Sequence, residues 1–109
     1  MGKPLVGEVV VLPFPQTNLE AGKRRPALVV ASLAGEDLIL CQITSRAHSD
    51  PHSIPLTASD FERGRLMVDS FIRANRLFTV EQSVVLYTTG KVAAAKLEEV
   101  KAKIRLLFT

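Results

Sequence analysis

Short apolar runs divided by proline, glycine and polar residues make up most of this chain, and they restrict its fold more than any other feature. No long helix separates these runs, so neighbouring strands are expected to pair antiparallel. The pattern predicts a strongly curved antiparallel sheet, built either as a small barrel or as a compact half-open one. The expected strands are Glu8–Leu12, Arg25–Ala31, Leu38–Ile43, Ile54–Leu56, Leu66–Ala74 continued by Leu77–Thr79, and Val84–Tyr87.

The breaks between the runs are marked by residues that leave regular structure. Pro13 and Pro15 are expected to end the first strand, because proline has no N–H to donate to a ladder. Gly64 is expected to end a short helical turn. The other predicted breaks are a hairpin turn at Ala34–Asp37, the helical turn itself at Thr57–Phe61, an interruption at Asn75-Arg76 and a closing turn at Thr89-Gly90.

The spacing of the apolar residues changes near the C-terminus. Apolar residues now recur at three- and four-residue spacing while charged residues fill the other positions, which predicts an amphipathic helix over Ala93–Phe108 that packs on the sheet. Its apolar stripe is expected to consist of Leu97, Val100, Ile104, Leu107 and Phe108. The fold class is therefore mainly β with one C-terminal amphipathic α-helix, in a single domain over residues 1–109.

Charge points to an anionic partner. The chain has 14 Lys and Arg against 11 Asp and Glu, a net charge of +3. Nucleic acid and an acidic protein segment are the two obvious candidates. A single cysteine, Cys41, supports neither a disulfide framework nor a zinc site. The chain has no signal-peptide pattern and no apolar run near the roughly 18 residues of a membrane span, so we expect a cytoplasmic protein without membrane contact.

The triplet Lys23-Arg24-Arg25 precedes Pro26 and a strongly apolar run. A residue before proline is biased towards extended backbone, which is expected to fix the Arg25 guanidinium at the entrance of a strand. A charge held there is well placed to meet a ligand. The alternative is that the triplet serves solubility or forms a diffuse anion patch.

Seven stretches of the chain follow one another in the order and spacing of a known family: Gly7–Val10, Leu12–Pro15, Gly22–Val30, Cys41–Arg46, Asp69–Arg73, Leu77–Val80 and Gly90-Lys91. In these stretches the sequence resembles the PemK/MazF/Kid family of toxins from type II toxin–antitoxin modules. The resemblance implies an SH3-like barrel that forms a homodimer. It also implies an endoribonuclease that cuts single-stranded RNA (mRNA) without metal or cofactor and leaves a cyclic phosphate and a 5′-hydroxyl. A cognate antitoxin with an acidic C-terminal segment would inhibit it.

The resemblance also implies roles for individual residues. Arg25 matches the catalytic arginine and Thr44 a catalytic threonine, and Arg73 matches an arginine that takes part in acid–base work. This chain has Asn75 where some members have an aspartate, and an amide cannot act as a general base near neutral pH. The expected substrate-binding residues are Thr17, Lys23, Arg24, Ser45, Arg46, Ser70 and Asn75, and no metal ligands are expected.

Several alternatives stay open. The alternative to a catalytic role for Thr44 is that its hydroxyl forms a hydrogen bond with a neighbouring backbone group, as at many strand ends. Histidine is a common acid or base in catalysis, but His48 and His52 lie in a loop and are discounted. Phe14 and Phe71 either stack on a base or belong to the core. At the level of function, the alternatives are a CcdB-like toxin that binds gyrase and an inactive member that only binds a partner.

Overall fold

The computed structural model describes residues 2–14, 23–47 and 50–109. These residues contain seven strands, two 3₁₀ turns and one α-helix. The 3₁₀ turns cover Ala58–Asp60 and Gln82–Val84. The strands and the helix are β1 Glu8–Phe14, β2 Lys23–Ser32, β3 Asp37–Thr44, β4 Ser53–Leu56, β5 Phe61–Gly64, β6 Ser70–Glu81, β7 Tyr87–Val92 and α1 Ala94–Leu106.

All seven strands belong to one sheet in the order β4-β6-β3-β2-β1-β7-β5. Every pair of neighbours is antiparallel. The sheet curls, but the two end strands β4 and β5 do not pair with each other, so the result is a half-barrel. The predicted fold class, mainly β with a curved antiparallel sheet and a C-terminal helix, is confirmed.

Apolar side chains cover both faces of the sheet. On one face Leu28 and Ile72 pack in a cluster that includes Val100 of α1. On the other face a second cluster contains Leu12 and Leu40. Successive residues of a strand alternate between faces, so a strand in the centre of this sheet must be apolar at nearly every position. This explains the near-continuous apolar run of β2.

β1 continues past Pro13, contrary to the prediction that Pro13 ends it. Among the described residues, β1 pairs on one side only at that point: Pro13 pairs with Arg24, whereas the pairing with β7 reaches no further than Val11. A proline is tolerated where its missing N–H faces an open edge. The same extension makes β2 begin at Lys23, so the basic triplet lies inside a strand rather than in the loop before it.

The β6 strand begins at Ser70 and is continuous to Glu81, although the sequence suggested a start at Leu66 and an interruption at Asn75-Arg76. Its pairing with β3 changes register there. Gln42 pairs with Arg73, but Cys41 pairs with Leu77, so residues 74–76 form a bulge on β6. The polar pair thus marks a bulge within one strand and not a break between two.

β5 was not predicted, and β7 lies further along the chain than the expected strand Val84–Tyr87. Gly64 and Gly90, which read as turn signals, pair with each other across these two strands. A Cβ built on Gly64 would lie 2.3 Å from the Thr89 carbonyl oxygen. Glycine here permits close approach of two backbones, a use that composition alone does not distinguish from a turn.

The α1 helix is shorter at both ends than predicted. Val100 is fully buried against the sheet, and Leu97 and Ile104 are half-buried beside it. Phe108 lies beyond the helix and is 78% exposed, so it does not belong to the apolar stripe that the sequence predicted. The middle of the helix therefore carries the packing.

Replacing Gly64 by alanine should destabilise the protein more than the same change at Gly35. Both glycines have positive φ, +70° and +81°, but no described atom lies within 4 Å of a Cβ built on Gly35. Gly35→Ala should cost about 1 kcal/mol from backbone strain. Gly64→Ala should cost about 1–3 kcal/mol more from the contact with β7. Urea unfolding at one fixed protein concentration measures both, and equal losses would contradict the close approach.

Candidate functional site

A polar cavity of about 630 Å³ lies where β2, β3 and β6 run side by side. Of the eight described residues that line it, five are cationic and none is acidic. This concentrates positive charge in a concave surface, which attracts anions. The lining residues are Lys23, Arg25, Gln42, Thr44, Ser45, Arg46, Arg73 and Arg76.

The register of three strands brings these side chains together. Ala27 of β2 pairs with Gln42 of β3, and Gln42 pairs with Arg73 of β6. Paired residues of adjacent strands project on the same face of a sheet. Arg25 lies two residues before Ala27 and Thr44 two residues after Gln42, so both project on that face as well.

Six of the residues that the sequence singled out line this cavity: Lys23, Arg25, Thr44, Ser45, Arg46 and Arg73. Three described ones do not. Arg24 is exposed and, as the neighbour of Arg25 in the strand, projects on the opposite face. Asn75 is exposed in the bulge. Ser70 is buried, and its hydroxyl donates a hydrogen bond to the Val68 carbonyl oxygen at 3.0 Å. Thr17 and His48 lie outside the described residues.

The Thr44 hydroxyl has a local partner. Its Oγ1 accepts a hydrogen bond from the backbone N–H of Arg46 at 3.1 Å. This is the strand-end bond that the sequence left open as an alternative to a catalytic role. The two are compatible, because a hydroxyl that accepts one bond still has its own proton to donate.

Arg73 forms an ion pair with Asp50. The distance between Arg73 Nη2 and Asp50 Oδ2 is 2.9 Å, and only 13% of the Arg73 side chain is exposed. Asp50 Oδ1 also accepts the backbone N–H of His52 at 2.8 Å. These contacts favour the ionised carboxylate and lower the pKa of Asp50, with the His52 N–H as the largest cause and Arg73 contributing, while burial opposes them.

An apolar cavity of about 530 Å³ adjoins the polar one and shares Gln42 and Arg76 with it. Phe14 and Phe78 line it, with their ring centroids 5.1 Å apart and their planes at 79°. This edge-to-face pair belongs to the core cluster on that face. Phe14 thus packs in the fold, as one of the two alternatives for it proposed.

Sequence reasoning missed three residues of the site. Gln42 could have been found from strand alternation, since it shares a face with Thr44. Arg76 reaches the cavity from the β6 bulge, which no local pattern predicted. Asp50 contacts Arg73 from 23 residues away in the chain. No sequence signal identified that contact.

Among residues 2–14, 23–47 and 50–109, no group of three or more His, Cys, Asp or Glu side chains is arranged to hold a metal ion. In the same part of the chain, no helix is both long and apolar enough to cross a bilayer.

Comparisons with known proteins agree with the fold. The family model described as PemK-like, MazF-like toxin of type II toxin-antitoxin system matches residues 5–108. Solved structures that resemble the chain include MazF (Form-I) from Deinococcus radiodurans, at 29% identity and a TM-score of 0.78, with 99% of this chain and 98% of that chain covered.

A MazE-MazF structure (Form-III) from the same organism has 28% identity and a TM-score of 0.78, with 98% of this chain and 97% of that chain covered. An endoribonuclease from a mycobacterial species has 18% identity and a TM-score of 0.74, with 99% and 93% covered, which is a likeness of fold alone. The search of curated proteins found no match.

Replacing Arg73 by methionine should raise the pKa of Asp50 only part of the way to its ordinary value, because the His52 N–H remains. In the native protein, the stability that Asp50 contributes is present above its unfolded pKa of about 3.9 and is lost as the pH falls through its lower folded pKa. Carbon NMR of the carboxyl group measures the titration, with Lys96→Met as a control. A complete return to the ordinary value would contradict the His52 contact.

Proposed function

Since the chain belongs to the PemK-like, MazF-like toxin family of type II toxin–antitoxin systems, we propose that it is an endoribonuclease that cleaves single-stranded RNA without a metal ion. The observation that carries the proposal is the shared cavity. Arg25, Thr44 and Arg73, the three residues that the sequence assigned to catalysis, line one cationic surface. A phosphodiester is the anion that such a surface suits.

The proposed reaction needs only the chain, the RNA and water. The ribose 2′-oxygen attacks the adjacent phosphorus, and the bond from phosphorus to the 5′-oxygen breaks. The products are a 2′,3′-cyclic phosphate and a 5′-hydroxyl. The site must accept the 2′-OH proton, stabilise the extra negative charge on phosphorus, and allow the 5′-oxygen to be protonated.

Arg25 supplies the first electrostatic contact in this mechanism. Its guanidinium is always charged and presents N–H groups in a planar fork that matches two phosphate oxygens. Within the described part of the chain, Arg25 forms no ion pair, so its fork is available to the substrate. Arg73 lies on the other side of the cavity and also stabilises the negative charge that develops on the phosphorane.

Thr44 positions the phosphate. The N–H of Arg46 binds Thr44 Oγ1 and restricts the orientation of the hydroxyl. The hydroxyl then donates its own hydrogen bond to a phosphate oxygen, and the neighbouring Ser45 assists in holding the phosphate. Asn75 cannot accept the 2′-OH proton because an amide is not basic near neutral pH. In the proposed mechanism, water accepts this proton and another water protonates the 5′-oxygen.

The same cavity suits the proposed partners. An acidic segment of a cognate antitoxin would compete with RNA for the cationic lining, and the similar Deinococcus radiodurans structure is a MazE-MazF complex. We extend to this chain the homodimer that the resemblance implies, and action on mRNA in the cytoplasm. Light scattering of the purified protein, alone and with the antitoxin, tests both assemblies.

Arg25→Ala should reduce RNA cleavage by about 10²–10³-fold, because it removes a charged group aimed at the reacting phosphate. Arg24→Ala is the matched control. It removes the same side chain from the adjacent residue, which does not line the cavity, and should change the rate by only a few fold. The measurement is cleavage of a long RNA in EDTA, with the fragment ends mapped.

The proposal predicts cyclic phosphate and 5′-hydroxyl ends that persist in EDTA. Equal losses in the two variants would contradict the assignment of Arg25. Absence of cleavage by the native protein, combined with growth arrest on expression, would instead support the gyrase-binding alternative.

RNA affinity should fall as salt rises, because the cavity displaces counterions from phosphates. For single-stranded RNA the slope of log affinity against log salt is about −0.7 per phosphate contacted. Arg76→Ala should reduce the magnitude of the slope by about 0.7, whereas Lys101→Ala on α1 should leave it unchanged. Fluorescence anisotropy with 2′-O-methyl RNA, which cannot be cleaved, measures the slope. A slope near zero would contradict phosphate binding in the cavity.

A further inference from the structure

The sheet holds the backbone of Arg73 on both sides but does little to orient its guanidinium. Its backbone pairs with Gln42 on one side and Ser53 on the other. Its Nε is buried and has no hydrogen-bond partner among the described residues, and the same is true of Ser53 Oγ directly opposite. The guanidinium donates a hydrogen bond from Nη2 to Asp50 Oδ2 at 2.9 Å. The Asp50 carboxylate therefore orients the charged end of Arg73.

The Asp50 carboxylate is itself fixed in place. One oxygen, Oδ1, accepts the N–H of His52, which leaves Oδ2 for Arg73. The turn that carries Asp50 is attached to the rest of the molecule at two points. Ala74 N donates to the His52 carbonyl oxygen at 3.1 Å, and Lys103 Nζ of α1 donates to the Pro51 carbonyl oxygen at 3.1 Å.

Charge makes such a partner important. Arg73 shares the cavity lining with four other cations, and like charges at close range repel each other. The carboxylate of Asp50 offsets this repulsion at Arg73 without lining the cavity itself. Among the described residues, Arg25, Arg46 and Arg76 form no ion pair, so Arg73 differs from them in this respect.

We propose that Asp50 is a positioning residue that holds the Arg73 guanidinium in the orientation the reaction requires. This chain has an exposed asparagine at position 75, where some family members have an aspartate, and the carboxylate beside Arg73 comes instead from the turn before β4. The inference rests on the proposed ribonuclease function. Asp50 acts through Arg73 and does not line the cavity in which the phosphate binds.

The first test is a double-mutant cycle in single-turnover cleavage of RNA. Asp50→Asn should lower the cleavage rate by about 10- to 100-fold, because a small misplacement of a catalytic group is costly. In an Arg73→Met background the same change should lower the rate by less than about twofold, since residues that act as one unit are not additive. An equal loss in both backgrounds, or no loss in either, would overturn the proposal.

Two further variants separate positioning from general damage. Asp60→Asn is the matched control, because Asp60 also accepts a backbone N–H, from Thr57 at 2.8 Å, and also lies near a cation, Lys96, at 3.7 Å, while lying outside the cavity lining. It should leave the rate within about twofold. Asp50→Glu keeps the carboxylate and should retain more of the rate than Asp50→Asn. A rate for Asp50→Glu below that of Asp50→Asn would count against the proposal.

Affinity for 2′-O-methyl RNA distinguishes positioning from loss of the binding surface. Asp50→Asn removes a negative charge beside a cationic cavity, so affinity should stay the same or rise while the cleavage rate falls. A loss of affinity in parallel with the rate would show that the turn merely supports the cavity and would overturn the positioning role.

An NMR measurement keeps this test independent of the proposed function. The Arg73 Nε–H signal should show restricted motion in the native protein and in Asp60→Asn, but increased motion in Asp50→Asn. If the native protein does not cleave RNA while the Arg73 signal behaves as expected, the ribonuclease proposal fails and the Asp50 contact stands. Equal motion of the signal in all three proteins would overturn the positioning role.

Discussion

The register that joins β2, β3 and β6 is the constraint on which the site depends. Ala27, Gln42 and Arg73 lie side by side in that register, and the strand ends beyond them deliver Arg25 and Thr44 to the same face. A slip of one residue in β3 would turn Gln42 and Thr44 towards the opposite core and bring Cys41 and Ile43 to the cavity. The apolar side chains of β3 oppose this slip, because it would move the buried Leu38 and Leu40 out of the core cluster in which they pack. The cores that stabilise the fold therefore also align the polar groups of the cavity.

The bulge on β6 adds what regular pairing cannot provide. Three residues, 74–76, lie between the two registers of the β3–β6 ladder, so Arg76 reaches the same cavity as Arg73. Bulges often redirect a side chain next to a functional site. The cost is concentrated positive charge in a chain whose net charge is only +3. The Asp50 turn offsets part of it at Arg73, and an anionic ligand would offset the rest.

Much of this fold can be predicted from local sequence patterns. The apolar runs identified β2 and β3 closely, and the change of period identified α1, because burial of alternate or every third to fourth residue is a local property. Pro26 also indicated extended backbone at Arg25, and Arg25 and Thr44 line one cavity. The catalytic roles given to these residues remain predictions.

What the sequence did not reveal depends on contacts between distant segments. Pro13 fits inside β1 because β7 begins opposite Val11 and does not reach Pro13, and Gly64 and Gly90 allow close strand approach because β5 and β7 pair. Asp50 reaches Arg73 because β4 pairs with β6. In each case the residue type is ordinary for a loop, and only its partner gives it another role.

The packing of α1 has a consequence for the order in which the molecule matures. Val100 completes the core on one face of the sheet, and Lys103 binds the turn that holds Asp50. The ribosome makes this helix after all seven strands. A nascent chain that has released only its strands therefore has one uncovered apolar face and an unsecured turn. The cavity reaches its final form only when α1 docks on the sheet, so formation of the site during synthesis waits for a segment that is made after the strands.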